Sequence, residues 1–159
     1  MKGILMRNTL RVPLLTLILL PACAHAPVYQ SSGPSIGDGV KVAIVGQACD
    51  QYHDPNFEFD DFVGLDLDLE VRNATNAPLT VHRDMIRVVA SDGIAPKTLT
   101  WKAVEPIQVE AGGVQRISVR YMTLGSLECR GPLDLDLKNA VTRGGASLAL
   151  AAIHFVARN

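Results

Sequence analysis

The sequence predicts an all-β domain, an antiparallel β-sandwich of about seven to eight short strands. From Val40 onward, apolar and polar residues alternate with a period of two, most strictly between Leu65 and Val71, as expected of strands with one buried face. Turn-forming residues, as in 72–78 and 110–113, separate the alternating runs. Because no apolar stripe of 3.6-residue period and useful length occurs, a sheet protein is expected.

The predicted strands follow one another along the chain as Val40–Val45, Val63–Val71, Leu79–Val81, Met85–Ala90, Thr98–Ala103, Ile107–Val109, Val114–Met122, Leu133–Leu137 and Ser147–Val156. Gly46 is expected to end the first of them. The last run is ambiguous, because its Ala and Leu content would suit a helix. Its Ile153, Phe155 and Val156 favour a strand.

Two segments carry a resemblance to a known family. Leu67–Leu79 contains a strand followed by Asn73-Ala74-Thr75-Asn76-Ala77-Pro78, and Val109–Tyr121 contains a Gly-rich turn followed by a second strand. These segments resemble a hairpin and a later strand of immunoglobulin-like domains in small bacterial envelope proteins. The resemblance covers roughly residues 40–157. It implies an immunoglobulin-like fold, and because its motifs are structural it implies no active residue.

The first 22 residues are predicted to be an export signal. Lys2, Arg7 and Arg11 precede a short apolar run at 12–20, and small residues follow, which is the order of a secretory signal. The apolar run is about half the ~20 residues that a membrane-spanning helix needs.

Two cleavage sites compete at the end of this signal. Leu20-Pro21-Ala22-Cys23 resembles the lipobox of bacterial lipoproteins, in which a lipid is attached to the cysteine and the chain is cut before it. Pro21 departs from the usual pattern. Ala24-His25-Ala26 is the alternative, a site for ordinary signal peptidase. Lipidation at Cys23 is favoured and makes the membrane a partner; Ala24 then favours the outer membrane, facing the periplasm. The alternative cut gives a soluble periplasmic protein.

The mature chain is predicted to consist of a flexible tether, residues 23–39, and one domain, residues 40–159. The tether is assigned because this stretch is rich in Pro, Ser and Gly. Removing residues 1–22 takes away three basic and no acidic residues, which leaves 12 basic against 16 acidic. That acidic balance argues against a nucleic-acid partner.

Cys49 and Cys129 remain after either cleavage. In an oxidising compartment an even pair favours a disulfide, which would close a loop of about 80 residues. A reactive or metal-binding thiol pair is the alternative, but no Cys-x-x-Cys spacing supports it.

An acidic stretch between Asp50 and Glu70 is the first candidate site. It holds eight acids and no Lys or Arg: Asp50, Asp54, Glu58, Asp60, Asp61, Asp66, Asp68 and Glu70. Calcium needs several oxygen ligands that converge from one loop, and the spacing of a calcium loop is absent. A solvated face with Arg116, Arg120 or Lys138 as cross-strand partners is the favoured interpretation.

Three aromatic residues, Phe57, Phe59 and Phe62, alternate with acids. Aromatic side chains anchor many protein interfaces, so these three are the candidate partner-binding residues. The alternatives are packing at the end of the sandwich and pairing as an extra edge strand.

Histidine and methionine residues could in principle hold a metal, namely His53, His82, His154, Met85 and Met122. Only His82 and Met85 are close in sequence, and they are expected across a turn. His154 is expected to be packed or capped, and no metal or other cofactor is predicted. Asn73-Ala74-Thr75 has the pattern of a glycosylation site, but turn chemistry explains it better.

These observations favour a non-enzymatic envelope lipoprotein, a tethered binding or structural module that is accessory to a larger envelope complex. The alternatives are a periplasmic metal-binding or metal-delivery protein and an enzyme whose site is assembled only in space. No serine motif of a hydrolase occurs.

Overall fold

The structure is a computed structural model and describes residues 28–53, 61–90, 97–98, 105–124 and 132–158. Within these residues the strands are β1 Val28–Ser31, β2 Ser35–Gly37, β3 Val40–His53, β4 Asp61–Asn73, β5 Leu79–Val81, β6 Arg87–Ala90, β7 Lys97–Thr98, β8 Ile107–Val109, β9 Val114–Leu124, β10 Leu133–Asp136, β11 Val141–Arg143, β12 Ala146–Ser147 and β13 Ile153–Arg158. One turn of 3-10 helix, Arg83–Met85, precedes β6.

The strands form three antiparallel sheets, so the prediction of an all-β fold is confirmed. The largest sheet has the strand order β2-β3-β4-β9-β7, and we call it the main sheet. The second has the order β1-β13-β10-β6, and the smallest has the order β12-β11-β5-β8.

One hydrophobic core takes side chains from all three sheets. The alternating residues of the strands supply it, and its largest fully buried members are Tyr121, Phe155, Leu65, Leu67, Leu69, Leu79, Ile86, Ile117, Leu133, Leu135, Leu137 and Ile153. The intervening residues of the same strands point outward, as a period of two requires. The alternation found in the sequence is therefore the pattern that closes the core.

The strand predicted at Val40–Val45 is longer than expected. Gly46 was expected to end it, but β3 continues to His53 and pairs with β4 along its whole length. The register shifts between Ile44 and Gly46, which marks a β-bulge. A Cβ at Gly46 would lie 2.8 Å from Oδ2 of Asp68, so glycine allows the carboxylate to lie across the bulge.

The prediction of a flexible tether over residues 23–39 is wrong for residues 28–37, where the chain forms β1 and β2. β1 pairs with β13 in the register Val28↔Arg158 to Ser31↔Phe155, and β2 pairs with β3. Val28 and Tyr29 suit a strand, and the Pro, Ser and Gly residues around Gly33 form only the connection between β1 and β2. The domain therefore begins at or before Val28 instead of Val40. Residues 1–27, including the predicted signal, lie outside the described part of the chain.

The end of the chain also differs from the prediction. The last strand begins at Ile153, not Ser147, and no helix forms there. Ala146–Ser147 instead closes a hairpin with β11, a strand that the sequence did not indicate. Gly144 and Gly145 form its turn with φ of 55° and 82°, values that favour glycine.

Strand directions define two ends of the domain. β1 begins and β13 ends at the pair Val28↔Arg158. The turn after Asn73 lies at the other end, close to β8. β6 and β13 both run antiparallel to β10, so β6 runs toward the end that holds Val28. β3 and β9 both run antiparallel to β4, away from the turn after Asn73. We call the first the Val28 end and the second the Asn73 end.

Candidate functional site

The outer face of the main sheet carries the described part of the acidic stretch. Asp66 lies opposite Arg120 in the register of β4 and β9. The guanidinium of Arg120 binds both carboxylate oxygens of Asp66, with N···O distances of 2.6 and 2.8 Å. This two-point contact fixes the relative orientation of the two side chains.

Further charged and polar contacts, within β4 and across to β9, continue along the same face. Glu70 accepts a hydrogen bond from Nε of Arg72 at 2.7 Å and has Nε of Arg116 at 3.9 Å. Between these rows, the hydroxyl of Ser118 donates to Oδ1 of Asp68. For Asp66, Asp68 and Glu70 the interpretation as a solvated face is confirmed, with Arg120 and Arg116 as cross-strand partners. The side chains of the other five acids, Asp50, Asp54, Glu58, Asp60 and Asp61, lie outside the described part of the chain. Lys138 differs, since only its backbone N–H contacts an acid, Asp136.

A shallow depression of about 500 Å³ lies on this face and is lined by Asp66, Asp68, Ser118, Val119 and Arg120. Because each of its carboxylates already accepts a hydrogen bond from β9, the face has the chemistry of a polar interface. The described residues contain no group of three or more His, Cys, Asp or Glu that could hold a metal ion.

The two histidines with described side chains, His82 and His154, lie in separate places. His82, beside the 3-10 helix, has Nε2 at 3.4 Å from the hydroxyl of Thr142. His154 was expected to be packed or capped within an apolar strand; its side chain is exposed, and Nδ1 lies 2.7 Å from Oδ1 of Asp134 on β10. The alternation of β13 explains the correction, since Ile153 and Phe155 take the buried positions on either side.

The side chain of Asn73 makes hydrogen bonds to four other residues. It is only 1% exposed, at the end of β4. Its amide nitrogen donates to the backbone oxygens of Ala77, Glu110 and Val109 at 2.8, 3.0 and 3.3 Å. Its Oδ1 accepts from the backbone N–H and the hydroxyl of Thr75 at 3.1 and 2.6 Å.

These contacts make Asn73 a bridge between two turns. The local bonds to residues 75 and 77 shape the turn after β4, which confirms turn chemistry as the role of this segment. The bonds to Val109 and Glu110 reach the turn before β9, some 36 residues further along the chain. The sequence indicated the first set and not the second.

Tyr121 is a second buried polar residue that the sequence did not single out. Its hydroxyl donates to the backbone oxygen of Ile86 at 3.1 Å, and this bond joins the main sheet to the segment before β6. Burial raises the pKa of the phenol well above its ordinary value of 10.

Tyr121→Phe is expected to lower the free energy of unfolding at pH 7 by about 1 to 2 kcal/mol, because it leaves the oxygen of Ile86 without this donor. Because burial raises the pKa of Tyr121 in the folded protein, its contribution to stability is full below pH 10 and is lost progressively above pH 10, where the phenol ionises in the unfolded chain. Urea unfolding at pH 7 and at pH 11 should therefore show that the free energies of unfolding of the wild type and of Tyr121→Phe differ less at pH 11. A constant difference would contradict the assignment.

Several predicted site residues lie outside the described part of the chain: Cys23, Phe57, Phe59 and Cys129. Phe62 belongs to β4 and pairs with Leu124, but its side chain is not among those described. Cys49 is buried on β3 opposite Leu65. Its disulfide with Cys129 stays a prediction, and so does the role of the three Phe residues.

Comparisons with known proteins do not assign a family. No family model matches the sequence, and no curated protein is significantly similar to it. Among solved structures, a conserved hypothetical protein from Bacillus anthracis matches with 12% identity and a TM-score of 0.46, over 68% of this chain and 90% of that one. A Northeast Structural Genomics Consortium target matches with 7% identity and the same TM-score, over 77% and 89%. Similarity at this level supports no conclusion about function.

Among the residues that the structure describes, no helix is long and apolar enough to cross a membrane.

Proposed function

We propose that this chain is a lipid-anchored protein of the bacterial envelope, and that its β domain is an immunoglobulin-like sandwich that acts as a binding or structural module. The anchor is a lipid on Cys23. The partner is an envelope protein, and the candidate contacts are Phe57, Phe59 and Phe62.

The start of the fold carries this proposal. β1 begins at Val28, directly after the residues that the sequence assigns to export and cleavage. A cut before Cys23 leaves all of β1 in the mature chain. A domain whose described strands all follow both predicted cleavage sites is what a secreted protein requires.

The packing of the sheets on one another supports the sandwich. Apolar faces of the main sheet and of the second sheet contribute to one core, as in two sheets packed face to face. The segment after β4 that resembles an immunoglobulin-like hairpin forms a turn here, shaped by hydrogen bonds of Asn73 to Ala77 and Thr75.

Expression in bacteria followed by cross-linking in intact cells tests both halves of the proposal. The mature wild-type chain should begin at Cys23 with the mass of an added diacylglycerol, and it should form a cross-linked adduct with an envelope protein. Phe59→Ala should reduce that adduct several-fold while the chain remains acylated and folded.

Two matched variants complete this experiment. Cys23→Ser should lack the lipid and leave the membrane fraction, while Val156→Ala, at an exposed position of β13, should keep both lipid and adduct. A mature chain that begins at Pro27 without a lipid would overturn the anchor. If Phe59→Ala unfolds the domain, that ring belongs to the core and the binding role fails.

A further inference from the structure

We infer that the domain rests directly on the membrane surface with its Val28 end toward the lipid, because β1 fixes the chain almost immediately after the anchor. This inference rests on the proposed lipid at Cys23. It replaces the predicted long tether with a short connection. The Val28 end is then the surface that faces the phospholipid headgroups.

The attachment of β1 to the domain is well defined. Its four residues pair with the last residues of β13, and Val28 lies opposite Arg158. Beyond β1, the N–H of Ser32 donates to the backbone oxygen of His154 at 2.7 Å. Antiparallel pairs alternate between bonded and non-bonded positions, so the N–H of Gln30, two residues earlier, faces Val156 in the same way.

The length of chain between anchor and strand sets the distance to the membrane. Five Cα–Cα steps separate Cys23 from Val28, and a fully extended chain covers about 3.4 Å per residue, or about 17 Å in total. If the chain were free as far as Val40, 17 steps could span about 58 Å. Pairing of β1 with β13 therefore confines the domain to a narrow layer above the bilayer.

The same placement orients the domain. The Asn73 end is then directed away from the lipid. The outer face of the main sheet, with its paired charges, then lies parallel to the bilayer normal and remains accessible to other envelope proteins.

Neutron reflectometry of the purified, acylated protein in supported phospholipid bilayers tests this inference. The wild-type protein layer should begin within about 17 Å of the headgroups. A variant with 15 Gly and Ser residues inserted between Ala26 and Pro27 keeps β1 and the whole domain. Its gap should widen by about 10 to 20 Å, because such a linker has a root-mean-square length of about 21 Å.

A second pair of variants tests the part played by β1. Gln30→Pro removes the N–H that faces Val156, so β1 should detach and the gap should widen. Gln30→Ala keeps the N–H at this exposed position and should leave the gap at the wild-type value. Thermal unfolding of each variant should remain cooperative.

The outcomes separate this inference from the proposed function. Absence of the acyl mass at Cys23 rejects the lipid anchor itself. An acylated wild-type protein with the same gap as the insertion variant rejects only the close attachment, as does a Gln30→Pro gap equal to that of Gln30→Ala.

Discussion

Asn73→Ala is expected to lower the free energy of unfolding by about 3 to 5 kcal/mol, one of the largest effects of any single substitution in this chain. The change removes the donor to three backbone oxygens and the acceptor for both donors of Thr75. Net hydrogen bonds are worth only about 1 kcal/mol each, but a buried group left without a partner costs about 1 to 3 kcal/mol. Urea unfolding, followed by circular dichroism, gives the measurement.

Two further variants show which part of the side chain matters. Asn73→Asp keeps an acceptor for Thr75 but places a carboxylate where the amide nitrogen donates to Ala77, Val109 and Glu110, so it should be at least as destabilising. Asn76→Ala, at an exposed position of the same turn, should cost less than about 0.5 kcal/mol. Equal, small effects of all three changes would show that the bridge between the two turns contributes little.

Phe155→Ala is expected to cost about 3 to 5 kcal/mol, because it leaves a cavity in the centre of the core. Phe155 is fully buried on β13, and it lies opposite Leu133 on one side and Ser31 on the other. Loss of its ring should therefore weaken the packing of both β10 and β1. Thermal unfolding should show a lower Tm, and the backbone amides of β1 should exchange hydrogen faster.

The next residue provides the control for this prediction. Val156 is exposed on the opposite face of β13, so Val156→Ala should change the free energy of unfolding by less than about 0.5 kcal/mol. A cost below about 1 kcal/mol for Phe155→Ala would mean that neighbouring side chains close the cavity.

The strands of the main sheet could be predicted because their alternation is a local property. Leu65–Val71 shows its buried and exposed faces in the order of its residues, and Arg120 could be expected opposite Asp66. β1 could not be recognised, because four residues become a strand only where β13 lies beside them. The same applies to β11, which is three residues long.

Contacts between distant parts of the chain account for what was missed at the polar sites. Thr75 lies two residues from Asn73, so turn chemistry was visible in the sequence. Val109 and Ile86 are distant in sequence from the side chains that they bind, Asn73 and Tyr121. No spacing rule links such residues, because the fold alone brings them together.

Pairing of β1 with β13 also affects the order in which the strands of the domain can pair as the protein folds. These strands are the first and last of the described chain, and some 125 residues separate them. Contacts of such long range slow folding, since the loop must close before the contact forms. β1 is made before β13, so it stays unpaired until the C-terminal part of the chain has been synthesised.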